Sequence, residues 1–302
     1  MWNPKAKPDA QFRRIEGPFP TRWSPEPAVA GEYAYFVSQG RLVRRTFVKP
    51  GPLEVLAVDA IRGTRAVATM VGSIAVAAYI AEPLQEGGDR RARLWVEGHG
   101  IFDLSPEGSG ATSVALQAQG DRKLLAVALE GRTAMSPIHG RFIELDASSL
   151  RIGPDVVLNV APGAEAYSEI TLARSGKTSF ALVPITKSPR EFGLMVLPIG
   201  DELRMETTPS WVLYPNGLDP APVATANACG KTFVAFVRAS DPRPGSPAVI
   251  ELRTIDDNGL APSGELLATA RFVRALSMAA GKDALLVVWV ADGHTFAKTL
   301  RC

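Results

Sequence analysis

Residues 112–129 read TSVALQAQGDRKLLAVAL: a strand of small residues, a glycine turn, then a second strand that is almost wholly apolar. The pattern returns four more times, as TRAVATMVGSIAVAAYI, SEITLARSGKTSFALVPI, PVATANACGKTFVAFVRA and RALSMAAGKDALLVVWVA. Its turn glycines are Gly72, Gly120, Gly176, Gly230 and Gly281, separated by 48, 56, 54 and 51 residues. A small-residue strand and a short apolar run on either side of a turn glycine read as a β-hairpin, and a hairpin recurring at an interval near fifty residues means a repeated unit.

Each hairpin is followed by a polar or proline-rich stretch and a third strand, such as RARLWVEG, GRFIELDA, FGLMVLPI or AVIELRTI, and usually by a fourth, such as PDVVLNV or GELLATA. A sixth copy opens the series around Gly31, in PEPAVAGEYAYFVSQGRLVRRTF, and the last copy stops after its third strand, HTFAKTLRC. Four short strands per unit without helical periodicity resemble the blades of β-propeller repeat proteins in general. The resemblance covers almost the whole chain and implies an all-β fold: a single propeller of six blades, each of about four antiparallel strands. The segment QFRRIEG at residues 11–17 is free to complete the last blade and close the ring, which leaves no open sheet edge. On this reading residues 1–10 are a flexible tail and residues 11–302 one domain. Five or seven blades, an irregular β-sandwich and two small β domains are the competing architectures. No WD dipeptide and no kelch double glycine is present, so the resemblance carries a fold and no chemistry. ADGHTF at residues 291–296 approaches the Asp-box of sialidase-like propellers but is one residue short between its Asp and its Thr, and reads as a plain Asp-Gly hairpin turn.

Composition agrees with a folded chain. Of 302 residues 46% are hydrophobic and 21% charged, with a net charge of +2, enough apolar content for a large core and too much for disorder. The first fifty residues carry nine Lys or Arg against four acids, but these are scattered among prolines and read as a solvated surface. Nucleic-acid binding ranks last, because no contiguous basic stripe with stacking aromatics is present. The two cysteines, Cys229 and Cys302, exclude a disulfide-dense scaffold and show no zinc spacing; they are either one disulfide or two separate thiols. The longest apolar run, SIAVAAYIA, is too short to cross a bilayer, and the N-terminus has no signal-peptide core. As written the chain reads as soluble and cytoplasmic; an exported protein trimmed of its leader would read the same.

In a propeller, the loops between second and third strands share a face with the connections between blades, and ligands meet that face at the mouth of the central channel. Four of those loops read as long and polar: AEPLQEGGDRRAR, EGRTAMSPIHGR, ITKSPREFG and ASDPRPGSPA. Long loops on a rigid scaffold are where binding resides. The second packs Arg132, Ser136, His139 and Arg141 into twelve residues, yet Ser136 lies in no nucleophile elbow and no aspartate is identifiable to orient His139. His139 and His294 fall at comparable turns and could share a face, but no metal-binding motif accompanies them, and neither metal nor cofactor is expected. Counting seven residues back from each turn glycine gives the start of each inner strand: Ser24, Arg65, Ser113, Glu169, Val223 and Arg274. Arg65, Glu169 and Arg274 form either a structural ion network or a ligand site. With Arg90, Arg91, Arg93, Arg132, Arg141, Lys187 and Arg190 they give the face a basic bias suited to carboxylate or phosphate.

The sequence therefore points to a non-catalytic binding or scaffold module that holds a protein, peptide or glycan partner on its loop-rich face. The candidate ligand-binding residues are Arg65, Ser113, Glu169, Arg274, Arg132 and Arg141, and the ligand could be anionic. The alternative is a propeller hydrolase or lyase working on an anionic substrate at the channel mouth, with Glu169 and His139 as its candidate catalytic groups.

Overall fold

The computed structural model describes residues 27–48, 51–85, 88–106, 108–131, 135–146, 148–162, 169–188, 191–204, 208–215, 222–240, 246–281 and 283–302. The first blade holds β1 (Ala28–Ala30), β2 (Tyr33–Ser38), β3 (Arg41–Thr46) and β4 (Glu54–Ala57); the second, β5 (Val67–Val71), β6 (Ile74–Ala81), β7 (Arg91–Val96) and β8 (Gly100–Asp103). The third holds β9 (Ala111–Ala118), β10 (Lys123–Glu130) and β11 (Met135–Leu145), whose two halves pair with β12 (Leu150–Ile152) and β13 (Val156–Pro162). The fourth holds β14 (Thr171–Ser175), β15 (Thr178–Ser188), β16 (Glu191–Ile199) and β17 (Ser210–Pro215). The fifth holds β18 (Val223–Ala228), β19 (Lys231–Ala239) and β20 (Ala248–Asp256), which pairs with β21 (Gly259–Leu260) and β22 (Glu265–Ala270). The sixth holds β23 (Val273–Ala280), β24 (Ala284–Ala291) and β25 (His294–Arg301).

These six antiparallel sheets form a ring, a six-bladed β-propeller, and no helix occurs among the described residues, so none is long and apolar enough to cross a membrane. The first strands β1, β5, β9, β14, β18 and β23 touch one another in that order and line the axis. Among the described strands β25 pairs with β24 alone; the segment expected to complete that blade, residues 11–17, lies outside the described residues, as does Ser24.

The second strand of each hairpin is strongly apolar because it is buried on both faces. On β10, Leu125, Val127 and Leu129 pack toward the fourth blade, while Leu124, Ala126 and Ala128 pack toward the second. On β6, Val76, Ala78 and Ile80 face the third blade and Ala75, Ala77 and Tyr79 the first. The core is thus a set of separate apolar clusters, one at each junction from the first blade to the sixth. Each fully buried Leu or Ile in them contributes about 1.5–3 kcal/mol.

The hairpin glycines are fixed by backbone geometry. Gly72 has φ +58°, and a Cβ there would stand 2.7 Å from the Asp121 carbonyl oxygen in the next blade's turn, so both conformation and packing require glycine. In ADGHTF, Asp292 and Gly293 both have positive φ between the paired residues Ala291 and His294, the type I′ pattern of a plain hairpin.

Two of the four loops expected to be long are short. β10 ends at Glu130 and β11 begins at Met135, so most of EGRTAMSPIHGR is strand; β15 runs to Ser188 and β16 starts at Glu191. The prolines suggested loops, but Pro137 and Pro184 sit inside the ladders, opposite Val160 and Leu194. Full burial of the neighbouring Ile138 and Ile185 outweighs the missing proline donors.

Cys229 and Cys302 are joined as a disulfide with Cα atoms 5.3 Å apart, tying the chain's end to the β18–β19 turn across 73 residues of sequence. Closing a loop of that length in the unfolded chain stabilises the fold by about 4 kcal/mol in the chain-entropy account.

Candidate functional site

The connection from β4 to β5 runs back over the second blade. Ile61 donates its N–H to the Ile80 carbonyl at 2.9 Å, and Ala60 pairs with Ala81. It then turns sharply: the Thr64 N–H reaches the Ile61 carbonyl at 3.3 Å, with Gly63 at φ +81° in the third position, where a type II turn demands a residue of positive φ. This turn projects Arg62 outward and delivers Arg65 to the start of the inner strand. From the long loop of the second blade comes Arg90, whose carbonyl accepts the Ala111 N–H at 3.1 Å.

These residues open onto a cavity of about 270 Å³ at the starts of β5, β9 and β14, on the loop-rich face. Its polar lining is Arg62, Thr64, Arg65, Arg90, Thr112, Ser113 and Glu169; its apolar lining is Ile61, Val67, Ile80, Val114 and Ile170. Arg65 reaches Glu169 across 104 residues of sequence at 3.1 Å, with both side chains partly exposed. Ser113 is buried, and its Oγ accepts the Ile170 N–H at 3.0 Å, so this hydroxyl positions the segment that carries Glu169 into β14. Among the described residues neither Arg62 nor Arg90 has an ion pair. Among the described lining residues three guanidiniums therefore face one carboxylate.

The remaining sequence-derived candidates lie elsewhere. Arg274 is exposed at a break in the β23–β24 register and takes no part in the cavity lining. Arg132 and Arg190 lie outside the described residues, as does the side chain of Lys187. Arg91 and Arg93 belong to β7 and are drawn into an outer network. Arg93 donates to Asp59 at 2.6 Å and stands 2.9 Å from Asp103, Arg91 reaches Asp103 at 3.2 Å, and the buried Tyr79 hydroxyl donates to Asp59 at 2.8 Å. Burial, reinforced by the Asp59 carboxylate, pushes the Tyr79 hydroxyl above its ordinary range.

His139 and Arg141 are neither on a loop nor at the cavity. They share one face of β11 with an aspartate that the sequence did not reveal. His139 Nδ1 lies 2.7 Å from Asp155 and Nε2 2.9 Å from Glu130, while Arg141 Nε donates to the other oxygen of Asp155 at 3.1 Å. The ring is almost fully buried. Both its nitrogens are occupied by carboxylates, so it offers no lone pair to a substrate or a metal. Burial raises the Glu130 carboxyl above its ordinary range, with His139 opposing the shift. Ser136, three residues away and fully buried, lies on the opposite face of the strand, which rules out a Ser136–His139 pair. His294 is exposed in the sixth blade, so the two histidines do not meet. Among the described residues no group of three His, Cys, Asp or Glu side chains is arranged to hold a metal.

A signal for the buried cluster was present in the sequence. A four-residue connection between Glu130 and Met135 brings Glu130 diagonally opposite His139 on the same face of the hairpin, but reading the run as a long loop concealed it. Arg62 escaped because it is not in register with the inner-strand positions.

The six-bladed ring is the class that fold and site define. The chain is similar to a neuraminidase-like protein from A/bat/Guatemala/164/2009, with a TM-score of 0.51 and 10% identity over 92% of this chain and 87% of that one. It is also similar to the N-terminal domain of Nup159, with a TM-score of 0.48 and 7% identity over 91% and 75% of the two chains. A third similar structure is the xylan beta-1,4-xylosidase from Bacillus halodurans C-125, with a TM-score of 0.46 and 13% identity over 82% and 56%. At these identities the likeness is one of fold. No family model matches the sequence, and no curated protein does.

Proposed function

We propose that this propeller is a binding module whose loop-rich face holds a protein, peptide or glycan partner, with the cavity between the second, third and fourth blades receiving an anionic group of that partner. The observation that carries the reading is the excess of Arg62, Arg65 and Arg90 over Glu169 around one cleft. Guanidinium forks bind carboxylate, sulfate and phosphate through paired charged hydrogen bonds. Glycoside hydrolysis by general acid and base takes two carboxylates, and the described lining supplies one, which favours holding a ligand over cleaving it.

The test is retention of the labelled protein on peptide and glycan arrays graded in charge. Binding concentrated on acidic members and lost in the Arg62→Glu/Arg90→Glu variant is the expected result. Equal retention by the variant would overturn the reading. Turnover of an anionic glycoside, abolished by Glu169→Gln, would replace it with the hydrolase or lyase alternative.

A further inference from the structure

Cys229 stands where other blades carry a glycine. In the first, second and fourth blades the first of the two turn residues is glycine at positive φ: Gly31 after the paired Ala30, Gly72 after Val71 and Gly176 after Ser175. In the fifth blade the place between the paired Ala228 and Lys231 is taken by Cys229, at φ +55°. That left-handed conformation strains a residue with a Cβ, and a turn of this kind favours Asn, Asp or Gly. The turn does not call for a cysteine; the bond to Cys302 does.

The bond is open to reagents. Cys229 is half-buried in the wall of a cleft of about 430 Å³, within the usual range for small-ligand sites, on the face opposite the loops. Arg174 and Gly176 of the fourth blade, Lys231 of the fifth and Gly281 of the sixth line it too. The charged residues of the described lining are Arg174 and Lys231. Arg174 donates to neutral acceptors, the carbonyls of Gly176 at 3.3 Å and Ala118 at 3.5 Å, and Lys231 is exposed. Asp257 brings a carboxylate to the Gly176 side, 3.2 Å from where a Cβ on that glycine would stand. Cys302 is exposed and is not part of the lining. A thiolate beside Lys and Arg is stabilised, and a thiol of lowered pKa leaves faster. Cys302 is thus the sulfur a reagent reaches, and Cys229 the better leaving group.

We propose that Cys229–Cys302 is a thiol–disulfide exchange site, a reversible latch between the fifth and sixth blades that opens to a dithiol while the ring stays folded. This does not depend on the binding reading of the loop-rich face. One thiolate of the dithiol attacks Cys302 Sγ, forming a mixed disulfide as the bond to Cys229 breaks and Cys229 leaves as a thiolate beside Lys231. The second thiolate of the reagent then attacks its own sulfur in the mixed disulfide and releases Cys302. Two reagent thiols are oxidised to a disulfide, two cysteines are reduced, and the two protons pass between them through water. The blade junction has its own support: Leu276, Leu285, Val287 and Trp289 pack against Ala235, Ile250 and Leu252, and β25 keeps its ladder with β24. Opening frees the end of β25, which is exposed along most of its length and is then tied to the fifth blade by the Lys298–Glu265 pair at 2.8 Å.

The experiment is reduction of the oxidised full chain by dithiothreitol without denaturant, with free thiols counted by alkylation and mass spectrometry. The rate is expected within about tenfold of that for the urea-unfolded chain, as for a bond exposed by local motion alone. A rate lower by about a thousandfold or more, restored by urea, would show that reduction waits for global unfolding and would overturn the proposal. Glutathione, a monothiol, is expected to be trapped on Cys302; trapping on Cys229 would reverse the assigned step and overturn it. Lys231→Gln, whose fold is checked by urea titration, is expected to slow the native reaction about threefold, the weight of one charge near the leaving sulfur, and Asp257→Asn to speed it. Rates blind to both changes would remove the cleft from the chemistry. Hydrogen exchange on the Cys229→Ser/Cys302→Ser double variant should show faster exchange in β25 with the other blades protected. Loss of protection throughout the chain would make the bond a structural staple and end the latch reading.

Discussion

In the His139 cluster one imidazole and one guanidinium meet two carboxylates between packed strands; at the cavity, among the described lining residues, three guanidiniums meet one carboxylate beside a void. The fifth blade repeats the first situation. There Glu251 takes Arg238 at 2.5 Å and Arg253 at 2.6 Å, and spare donors of both arginines reach the carbonyls of Ala239 and Ala261. The same residue types are thus used in two ways. Within a blade they satisfy one another and fix its strands; at the channel mouth they are left in excess and turned toward solvent. What distinguishes a candidate site from a structural cluster is the unmatched charge facing open space, and residue type alone does not show it.

The sharpest test of that distinction is removal of the charge from the most deeply buried member. Glu251→Gln leaves two guanidiniums in a buried setting without their counter-charge and is expected to cost about 3 kcal/mol in urea unfolding. A loss below about 1 kcal/mol, the range of exposed pairs, would erase the difference between the two regions. His139→Ala is expected to cost somewhat less, about 2 kcal/mol, because the carboxylates it abandons, Glu130 and Asp155, keep some contact with water.

Acid titration separates the clusters by sign. The Glu251 carboxyl is buried, which alone would raise it, but Arg253 and Arg238 prevail and hold it below its ordinary 4.5. Its contribution is therefore present above pH 4.5 and is lost as the pH falls through the depressed folded value. Glu130 is raised above 4.5 by burial, so its contribution is present below pH 4.5 and is lost as the pH rises through the folded value. Unfolding curves across pH 3 to 8 should show the penalty of Glu251→Gln shrinking on acidification, while Glu130→Gln gains on the wild type as the pH rises. Parallel pH profiles for the two variants would mean that the clusters are not opposed.

The fold was legible because its signal is repeated: an apolar strand buried on both faces and a glycine turn in every blade leave little else for the chain to form. Gly72 and Gly176 were readable one by one, since positive φ at the turn selects glycine. The site was legible only in part. The register count placed Arg65, Ser113 and Glu169 at equivalent strand starts, and equivalent starts meet at the axis, so these three came together at the cavity. Arg274 occupies the same register position in the sixth blade, remote from the junctions that form the cleft, and a count along the chain carries no information about which blades enclose it. Asp155 was invisible as a partner of His139 because their contact depends on β13, and not β12, pairing with the N-terminal half of β11.

The smallest expected effects fall at the cavity and bear most directly on function. Arg65 and Glu169 are partly exposed, so Arg65→Gln should change unfolding free energy by less than about 1 kcal/mol, in contrast with the buried pairs. Its effect on a bound anion should be larger than that on stability, because the substitution removes one guanidinium and also uncovers the Glu169 carboxylate. Glu169→Gln reverses the balance: it deletes the one negative charge among the described lining residues and should tighten anion binding by about threefold, the weight of one charge at ~6 Å at the dielectric of water. Titration of both variants with an acidic peptide retained on the arrays, at low and high salt, decides the point. Opposite shifts that shrink with salt show that the arginine excess does the binding, whereas weakening by Glu169→Gln would make that carboxylate a ligand contact in its own right and reverse its part in the comparison.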